Sequence, residues 1–131
     1  MKKKVLLSSL IILTLTVTFF NLGYIIKNSF YDNIEVLPEG EFLYSSMSPD
    51  GENTVSVYRV ENDKMVAIRG ALVKVTENGN ISETNIFWQV GADSAIVGWH
   101  SNRTVSINNQ IIDVTSENYY DSRNDYSKYM Q

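Results

Sequence analysis

An uninterrupted apolar segment near the N-terminus, residues 5–26, constrains this chain more than any other feature. Its sequence is VLLSSLIILTLTVTFFNLGYII; three lysines at positions 2–4 precede it and Lys27 follows it. At about 1.5 Å per residue a helix of this length spans roughly 33 Å, which is enough to cross a bilayer core of about 30 Å. The segment therefore predicts a single membrane-spanning helix, with the rest of the chain in water beside the membrane.

Two other interpretations of this segment stay open. A cleaved signal peptide has a shorter apolar run of about 7 to 15 residues and a small-residue cleavage site of the A-x-A kind. The first alanine of this chain is Ala67. A buried helix of a soluble domain would need other elements to cover it on all sides, and a chain this short rarely supplies them. We therefore expect an uncleaved anchor.

The basic residues around the span predict its orientation. Lys2, Lys3 and Lys4 lie before it, whereas Lys27 alone follows it and is succeeded by acidic residues. Basic residues are enriched on the cytoplasmic side of membrane spans. We expect a single-pass protein of the cell membrane, with a cytoplasmic N-terminus and residues 28–131 outside the cytoplasm.

The charge balance excludes one class of partner. The formal net charge is −4, but the chain beyond Lys27 holds seven basic and fifteen acidic residues, a balance of −8. Nucleic-acid binding requires basic patches that neutralise phosphates. An acidic domain is also repelled by an anionic bilayer surface, so contact with the membrane is expected only through residues 5–26.

The remaining chain is long enough for one small domain. The Pro38-Glu39-Gly40 turn signal separates a short linker from a region rich in β-forming residues. The predicted organisation is an anchor at 1–27, a stalk at 28–40, a β domain at 41–123 and a polar tail at 124–131.

Alternating apolar residues and regularly spaced turn clusters favour an antiparallel β domain. Asn78-Gly79 is a strong signal for a type I′ hairpin, and alternation places Ile86 and Trp88 on one face of a strand. The predicted fold is mainly β, with the N-terminal helix followed by six or seven short strands in a meander or sandwich. The candidate strand segments are Phe42–Ser46, Thr54–Val60, Met65–Val75, Ser82–Val90, Ser94–His100, Thr104–Ile107 and Gln110–Val114.

Gly70 interrupts the longest of these segments. A glycine inside a strand marks either a bulge or a close approach of another group to the backbone. If the strand bulges at Gly70, Ile68 shares a face with Ala71.

Arg69 is the charged residue most in need of a partner, because it lies in the most apolar segment. Asp93 and Asp113, both beside strand signals, are its candidate partners. Arg69 either forms an internal ion pair that fixes strand register or binds an anion in a cleft.

Aromatic residues give two further alternatives. Trp88 and Trp99 each follow an alternating apolar pattern, which favours a place in the core over an exposed binding platform. Four tyrosines lie in the C-terminal region, at positions 119, 120, 126 and 129. We expect Tyr119 and Tyr120 alone to dock on the domain.

No pattern of catalytic, metal-ligating or cofactor-binding residues is recognisable in the sequence. His100 is the single histidine, and cysteine is absent, so the usual zinc ligand sets do not occur. The segment 48–53 carries carboxylates but lacks the spacing of an EF-hand loop, which favours a simple turn over a cation site. We expect a protein that is not an enzyme and has no cofactor.

Eight short motifs occur in a fixed order between residues 42 and 123. They are S-P-D-G at Ser48–Gly51, V-x-V-Y at Val55–Tyr58, I-R-G at Ile68–Gly70, N-I-F-W at Asn85–Trp88, A-x-V-x-W at Ala95–Trp99, T-V-S-I-N at Thr104–Asn108, I-D-V at Ile112–Val114 and Y-D-x-R at Tyr120–Arg123. In this order the chain resembles an uncharacterised family of small Gram-positive bacterial proteins. The resemblance implies an N-terminal membrane segment and one short extracytoplasmic β domain, and it implies no activity.

Three functions are consistent with these features. The first is a non-catalytic, membrane-anchored interaction module of the bacterial envelope, with an envelope or membrane protein as partner. The second is a sensor of a solute or anion that uses Arg69. The third is a hydrolase whose site has no recognisable motif. We expect the first.

Overall fold

The computed structural model describes residues 2–31 and 33–125, with side chains described for 2–21 and 33–125. The chain divides into two compact units, Met1–Asn33 and Ile34–Gln131. Each unit is described by itself.

The first unit contains one helix, α1, Lys2–Tyr31. Its stretch Lys2–Asn21 is long and apolar enough to cross a membrane, and none of the side chains in that stretch is buried. The hydroxyl groups in it donate to carbonyl oxygens of the preceding turn, for example Ser8 Oγ to Lys4 O at 2.9 Å. This bonding satisfies the hydroxyls within the helix itself, as an apolar surrounding requires.

The second unit is built from β-strands, which confirms the predicted mainly β fold with a single helix. Each of the seven predicted segments contains a strand, and the described residues add a two-residue eighth. The strands are β1 (Glu41–Met47), β2 (Thr54–Glu61), β3 (Val66–Val75), β4 (Ile81–Val90), β5 (Val97–Trp99), β6 (Thr104–Ile107), β7 (Gln110–Asp113) and β8 (Tyr120–Asp121), followed by a 3₁₀ turn at Ser122–Asn124.

These strands form two sheets. The larger has the order β1-β2-β3-β4-β8 and the smaller the order β5-β6-β7. All neighbours are antiparallel except β4 and β8, which run parallel. Apolar residues of both sheets pack together in the main core, as in a small sandwich. Its members are Val55, Val57, Ile68, Leu72, Ile86, Phe87, Val105, Ile107, Ile112 and Val114.

The irregularity predicted at Gly70 lies on the neighbouring strand. Gly70 pairs with Phe87 and Ala71 pairs with Asn85, so Ile86 of β4 is the extra residue. The bulge turns both Ile86 and Phe87 toward the main core. Of the two alternatives for Gly70, a bulge in β3 is therefore excluded.

The position of this bulge, in β4, changes which residues share a face in β3 and in β4. Trp88 follows the bulge and lies in a second apolar cluster, so the prediction that it shares a face with Ile86 was wrong. Because β3 continues without an extra residue, Ile68 and Ala71 lie on opposite faces and not on the shared face that a bulge at Gly70 would have produced.

Gly70 does allow a close approach. A Cβ atom at this position would lie 3.0 Å from Ile107 Cδ1 and 3.0 Å from Phe87 Cβ. The absence of a side chain thus lets β6 of the smaller sheet pack directly over β3. The second alternative for Gly70, a close approach of another group to the backbone, is therefore confirmed.

The hairpins also differ from the prediction. The β3–β4 connection is a five-residue loop, residues 76–80, because the last strand pair joins Val75 to Ile81. Gly79 has a positive φ of 79° whereas Asn78 does not, so the predicted type I′ turn was wrong there. A two-residue hairpin with positive φ at both positions instead joins β6 to β7 at Asn108 and Asn109.

Residues on both flanks of the strands also pack on the larger sheet. Ile34, in the segment predicted as a stalk, is buried with Val60, Ala67 and Trp88. Near the C-terminus, the Tyr120 ring stacks on Phe87 with centroids 5.3 Å apart. Tyr119 is half exposed. Tyr126 and Tyr129 lie outside the described residues.

Candidate functional site

Arg69 lies on the outer face of the larger sheet, the face turned away from the smaller sheet. Its neighbours in the strand, Ile68 and Gly70, point to the main core, so alternation directs Arg69 outward. Arg69 is nevertheless only 5% exposed. Its Nε and Nη2 atoms donate to the main-chain carbonyl oxygen of Glu39, at 3.1 and 2.9 Å. The chain before β1 therefore covers the guanidinium.

The remaining contacts of Arg69 come from neighbouring strands. Nη1 donates to Asn85 Oδ1 at 2.8 Å and lies 3.6 Å from the Glu83 carboxylate. The guanidinium carbon stands 3.9 Å from the centroid of the Tyr58 ring. Asn85 in turn donates through Nδ2 to the carbonyl oxygen of Ile34 at 2.8 Å. Arg69 and Asn85 together hold the segment 34–39 on the sheet through its main chain.

The Tyr58 hydroxyl completes this group. It donates to the Glu83 carboxylate at 2.5 Å. Partial burial and this hydrogen bond raise the pKa of Tyr58 above its usual value, because both disfavour the phenolate. Tyr58 therefore stays neutral and Glu83 remains shared between a phenol and a guanidinium.

The predicted partners of Arg69 were wrong. Asp113 lies at the end of β7 in the smaller sheet, and its Oδ2 atom accepts from Arg103 Nη2 at 2.9 Å. The side chains of Thr115 and Arg103 both donate to it, which lowers the pKa of Asp113 to about 2. Arg69 faces the other side of the larger sheet, so the sandwich itself separates the two groups.

Asp93 is exposed and borders an open cavity of about 440 Å³ between β4 and the smaller sheet. Asn108 is central to the wall of this cavity. Its amide nitrogen donates to Gln89 Oε1 at 2.9 Å and to the Ser94 carbonyl at 3.1 Å, and its Oδ1 atom accepts from Ile96 N at 2.9 Å. The amide of Asn108 is therefore fully engaged within the wall and is not free to bind a ligand.

The two tryptophans belong to different sheets, Trp88 to β4 of the larger and Trp99 to β5 of the smaller. Trp88 is 3% exposed in the second apolar cluster, and its Nε1 atom has no acceptor among the described residues. Trp99 packs at the edge of the main core and donates from Nε1 to Ser46 Oγ at 3.1 Å. Neither ring forms an open aromatic platform.

The described residues bring together no group of three or more metal-ligating side chains. His100 is exposed beside the β5–β6 turn. The segment 48–53 is a tight turn in which Gly51 N donates to the Ser48 carbonyl at 2.8 Å and Ser48 Oγ donates to Asp50. The hydrogen bond from Ser48 lowers the pKa of Asp50, which keeps this exposed carboxylate ionised.

The outer edge of β1 is an open strand edge of the second unit. We call the side of Glu41–Met47 that faces away from β2 the β1 edge; no described strand pairs with it. Phe42 is 56% exposed and Met47 is 64% exposed. At the opposite edge β4 pairs with β8 only at Phe87 and Trp88, and its open stretch, residues 81–85, carries the charged residue Glu83. The β1 edge has no charge between residues 42 and 47. The β1 edge is therefore the candidate functional site.

The fold thus defines a small two-sheet β unit preceded by a helix long enough to span a membrane. The chain belongs to a family of unknown function, DUF5412, whose model matches residues 3–125. No curated protein matches the chain. No solved structure matches it either.

Sequence reasoning missed the groups that surround Arg69. Tyr58, Glu83 and Asn85 carry ordinary surface-type side chains, and only strand pairing brings them to the guanidinium. It also missed the β1 edge. One signal was available: the chain contains no lysine or arginine between Lys27 and Arg59, so the predicted first strand lacks the basic residues that commonly protect an edge.

Proposed function

We propose that this protein is a membrane-anchored interaction module of the bacterial envelope. In this proposal α1 stays in the cell membrane, residues 28–131 lie outside the cytoplasm, and the β unit binds another envelope or membrane protein. The basic residues before the span and the acidic balance after it support this orientation. The ordered motifs, which resemble those of small Gram-positive proteins, support the bacterial envelope as the setting.

The β1 edge is the observation that carries the proposal. A sheet edge offers a row of main-chain donors and acceptors, and several families of binding domains recognise an extended peptide by adding it as a further strand. Residues 42–47 have no charge, and most of their side chains are exposed. A surface of this kind suits a protein partner better than a small molecule.

The contacts of Arg69 weigh against the alternative of an anion sensor. Three of its nitrogen atoms donate to Glu39 and Asn85, and the Glu83 carboxylate lies beside it. An incoming anion would have to displace the segment 34–39 and approach Glu83. The hydrolase alternative draws no support from the described side chains, because His100 stands exposed away from the cavity that Asp93 borders.

Crosslinking in living cells tests the proposal. The full-length protein is crosslinked, purified and analysed by mass spectrometry beside a version whose residues 5–26 are replaced by an unrelated span. We expect both versions to capture the same envelope protein, since recognition lies in the β unit. Capture by the native span alone would move recognition to the anchor, and capture of nothing by either version would overturn the proposal.

The orientation has its own test. The chain contains no cysteine, and Glu77 lies exposed in the β3–β4 loop. The Glu77→Cys variant should react with a membrane-impermeant maleimide in intact cells, whereas Lys3→Cys should react only after lysis. The reverse pattern would overturn the proposed topology.

A further inference from the structure

We infer that the β1 edge binds an extended segment of an envelope protein that carries lysine or arginine at both ends of a short apolar strand. This inference rests on the proposed function and adds the chemistry of the partner. It depends on two features of the described residues. The centre of the β1 edge has no charge and no neighbouring strand, and carboxylates lie at both of its ends.

The centre of the edge is regular and uncharged. A bulge at Leu43 disturbs the start of β1, but residues 44–47 pair with β2 without interruption. Natural edge strands are protected by a lysine, a proline, an inward-pointing charge or a bulge. None of these occurs between Tyr44 and Met47. This stretch can therefore accept a further strand.

The two most exposed apolar side chains of this edge, Phe42 and Met47, lie on one face. Phe42 pairs with Tyr58 and Met47 pairs with Thr54, which places both on the outer face of the sheet. The intervening residues Tyr44 and Ser46 point to the smaller sheet and bond there, Tyr44 to the Ala95 carbonyl at 2.8 Å. An added strand would therefore bury its apolar side chains beside Phe42 and Met47.

Carboxylates stand at both ends of this strand. Glu39 and Glu41 lie at its beginning, Asp50 and Glu52 follow its end, and all four are exposed. Arg59 lies opposite Glu41 in the register of β1 and β2, but its guanidinium pairs with Glu61 at 2.6 Å. The pairing of Arg69 with the Glu39 main chain fixes the first of these ends. The charge pattern of the surface is thus negative, neutral and negative along the strand.

This pattern discriminates between partners. A second copy added antiparallel would bring Glu39 and Glu41 of one chain beside Asp50 and Glu52 of the other. A parallel copy would align each carboxylate with its equivalent. Like charges on adjacent strands are destabilising, whereas opposite charges stabilise the pairing and speed association. The carboxylates therefore reject a second copy and select a segment with basic ends.

Synthetic peptides test this inference with the full-length protein in phosphatidylcholine nanodiscs. The probe is a fluorescent ten-residue peptide with six alternating threonine and valine residues between two pairs of lysine. We expect it to bind, as measured by anisotropy against empty nanodiscs. A peptide with glutamate in place of lysine should not bind, nor should a lysine-ended peptide N-methylated along its backbone. Equal binding of the glutamate-ended or N-methylated peptide would overturn the inference.

Charge reversal on the protein gives a matched comparison. The double variant Glu41→Lys and Glu52→Lys changes one carboxylate at each end of β1, and it should weaken binding of the lysine-ended peptide by about tenfold. Glu77→Lys and Glu117→Lys, which makes the same change in net charge at exposed positions outside β1 and the turn that follows it, should leave it nearly unchanged. Equal loss in both double variants would show general attraction to an acidic protein and would overturn the inference.

Crosslinking in cells separates this inference from the proposed function. If an envelope protein is captured by the wild type and lost in the Glu41→Lys, Glu52→Lys variant, both stand. If that variant captures it equally, the function stands and the β1 edge is excluded as the site. Disulfide-linked dimers of a Ser45→Cys variant, at the centre of the strand, formed without any other partner, would identify a second copy as the occupant and overturn the inference.

Discussion

Arg69 donates two hydrogen bonds to the main-chain carbonyl oxygen of Glu39, from Nε at 3.1 Å and from Nη2 at 2.9 Å. The two residues are thirty positions apart in the chain. Their contact joins the third strand of the larger sheet to the segment that enters its first strand. Because the acceptor is a main-chain atom, the contact fixes the path of the chain rather than the identity of residue 39.

Replacing Arg69 should destabilise the β unit strongly. In Arg69→Ala the carbonyl of Glu39 and the amide oxygen of Asn85 lose their donor, and we expect the free energy of unfolding to fall by about 3 kcal/mol. Urea unfolding of the full-length protein in detergent, followed by tryptophan fluorescence, measures this, since both tryptophans lie in the β unit. Arg59→Ala removes a rim ion pair and should cost less than about 1 kcal/mol. Equal effects would contradict the role given to Arg69.

Even the smallest side chain at position 70, in place of Gly70, should destabilise the β unit. A Cβ atom would lie 3.0 Å from Phe87 Cβ and from Ile107 Cδ1, so Gly70→Ala should lower the free energy of unfolding by about 1 to 3 kcal/mol. Ile107→Val removes the Cδ1 atom. The double variant should therefore be more stable than the sum of the two single effects predicts. Strict additivity in urea unfolding would show that the contact with Ile107 is not the cause.

Asn108 and Asn109 form the same hairpin with positive φ, but only Asn108 bonds across the cavity through its side chain. Asn108→Gly keeps the backbone conformation and removes three hydrogen bonds, so it should destabilise the β unit by about 2 kcal/mol. Asn109→Gly should have an effect within about 0.5 kcal/mol. Thermal unfolding of the two variants makes the comparison, and a reversed ranking would exclude the network as a source of stability.

Asp113 should titrate with a pKa of about 2, below its usual 3.8, because Thr115 and Arg103 donate to its carboxylate. Because the pKa of Asp113 is lower in the folded state, its ionised carboxylate stabilises the fold. This stabilisation is complete above pH 3.8 and is lost as the pH falls toward 2. Carboxyl carbon NMR shifts report the titration directly. Thr115→Val should raise the pKa of Asp113, since its hydroxyl is the largest cause.

Ser116→Ala is the matched control for this titration. The Ser116 hydroxyl donates to the main-chain oxygen of Asp113, at 2.9 Å, and not to its carboxylate. The pKa of Asp113 should therefore be the same in this variant as in the wild type. A rise in both variants would show that the loop conformation, and not the Thr115 hydroxyl, holds the pKa down.

Local sequence patterns were sufficient to predict the helix and the seven longer strands of this fold. The uncharged run of residues 5–26 predicted the apolar helix, and alternation with turn residues located a strand in each of seven segments. These signals are local, because helix and strand periodicities are properties of neighbouring residues. The close approach at Gly70 was also predictable, since a missing side chain inside a strand has few other causes.

Strand faces were predicted less well, because one residue inserted in a strand exchanges them. The extra residue is Ile86, in β4, whereas the sequence signal was the glycine opposite it. Nothing in the alternation of Ile86, Trp88 and Val90 indicates the insertion. It becomes visible only when the register with β3 is known.

The sequence by itself determined an apolar helix, a mainly β unit and an acidic balance, because composition and periodicity are written along the chain. Tertiary structure alone decided the partners of Arg69, the network around Asn108 and the open edge of β1. Contacts of this kind join residues tens of positions apart, such as Asn85 and Ile34. Their geometry depends on register and sheet order. These are cooperative properties of the whole fold and cannot be predicted from any one segment.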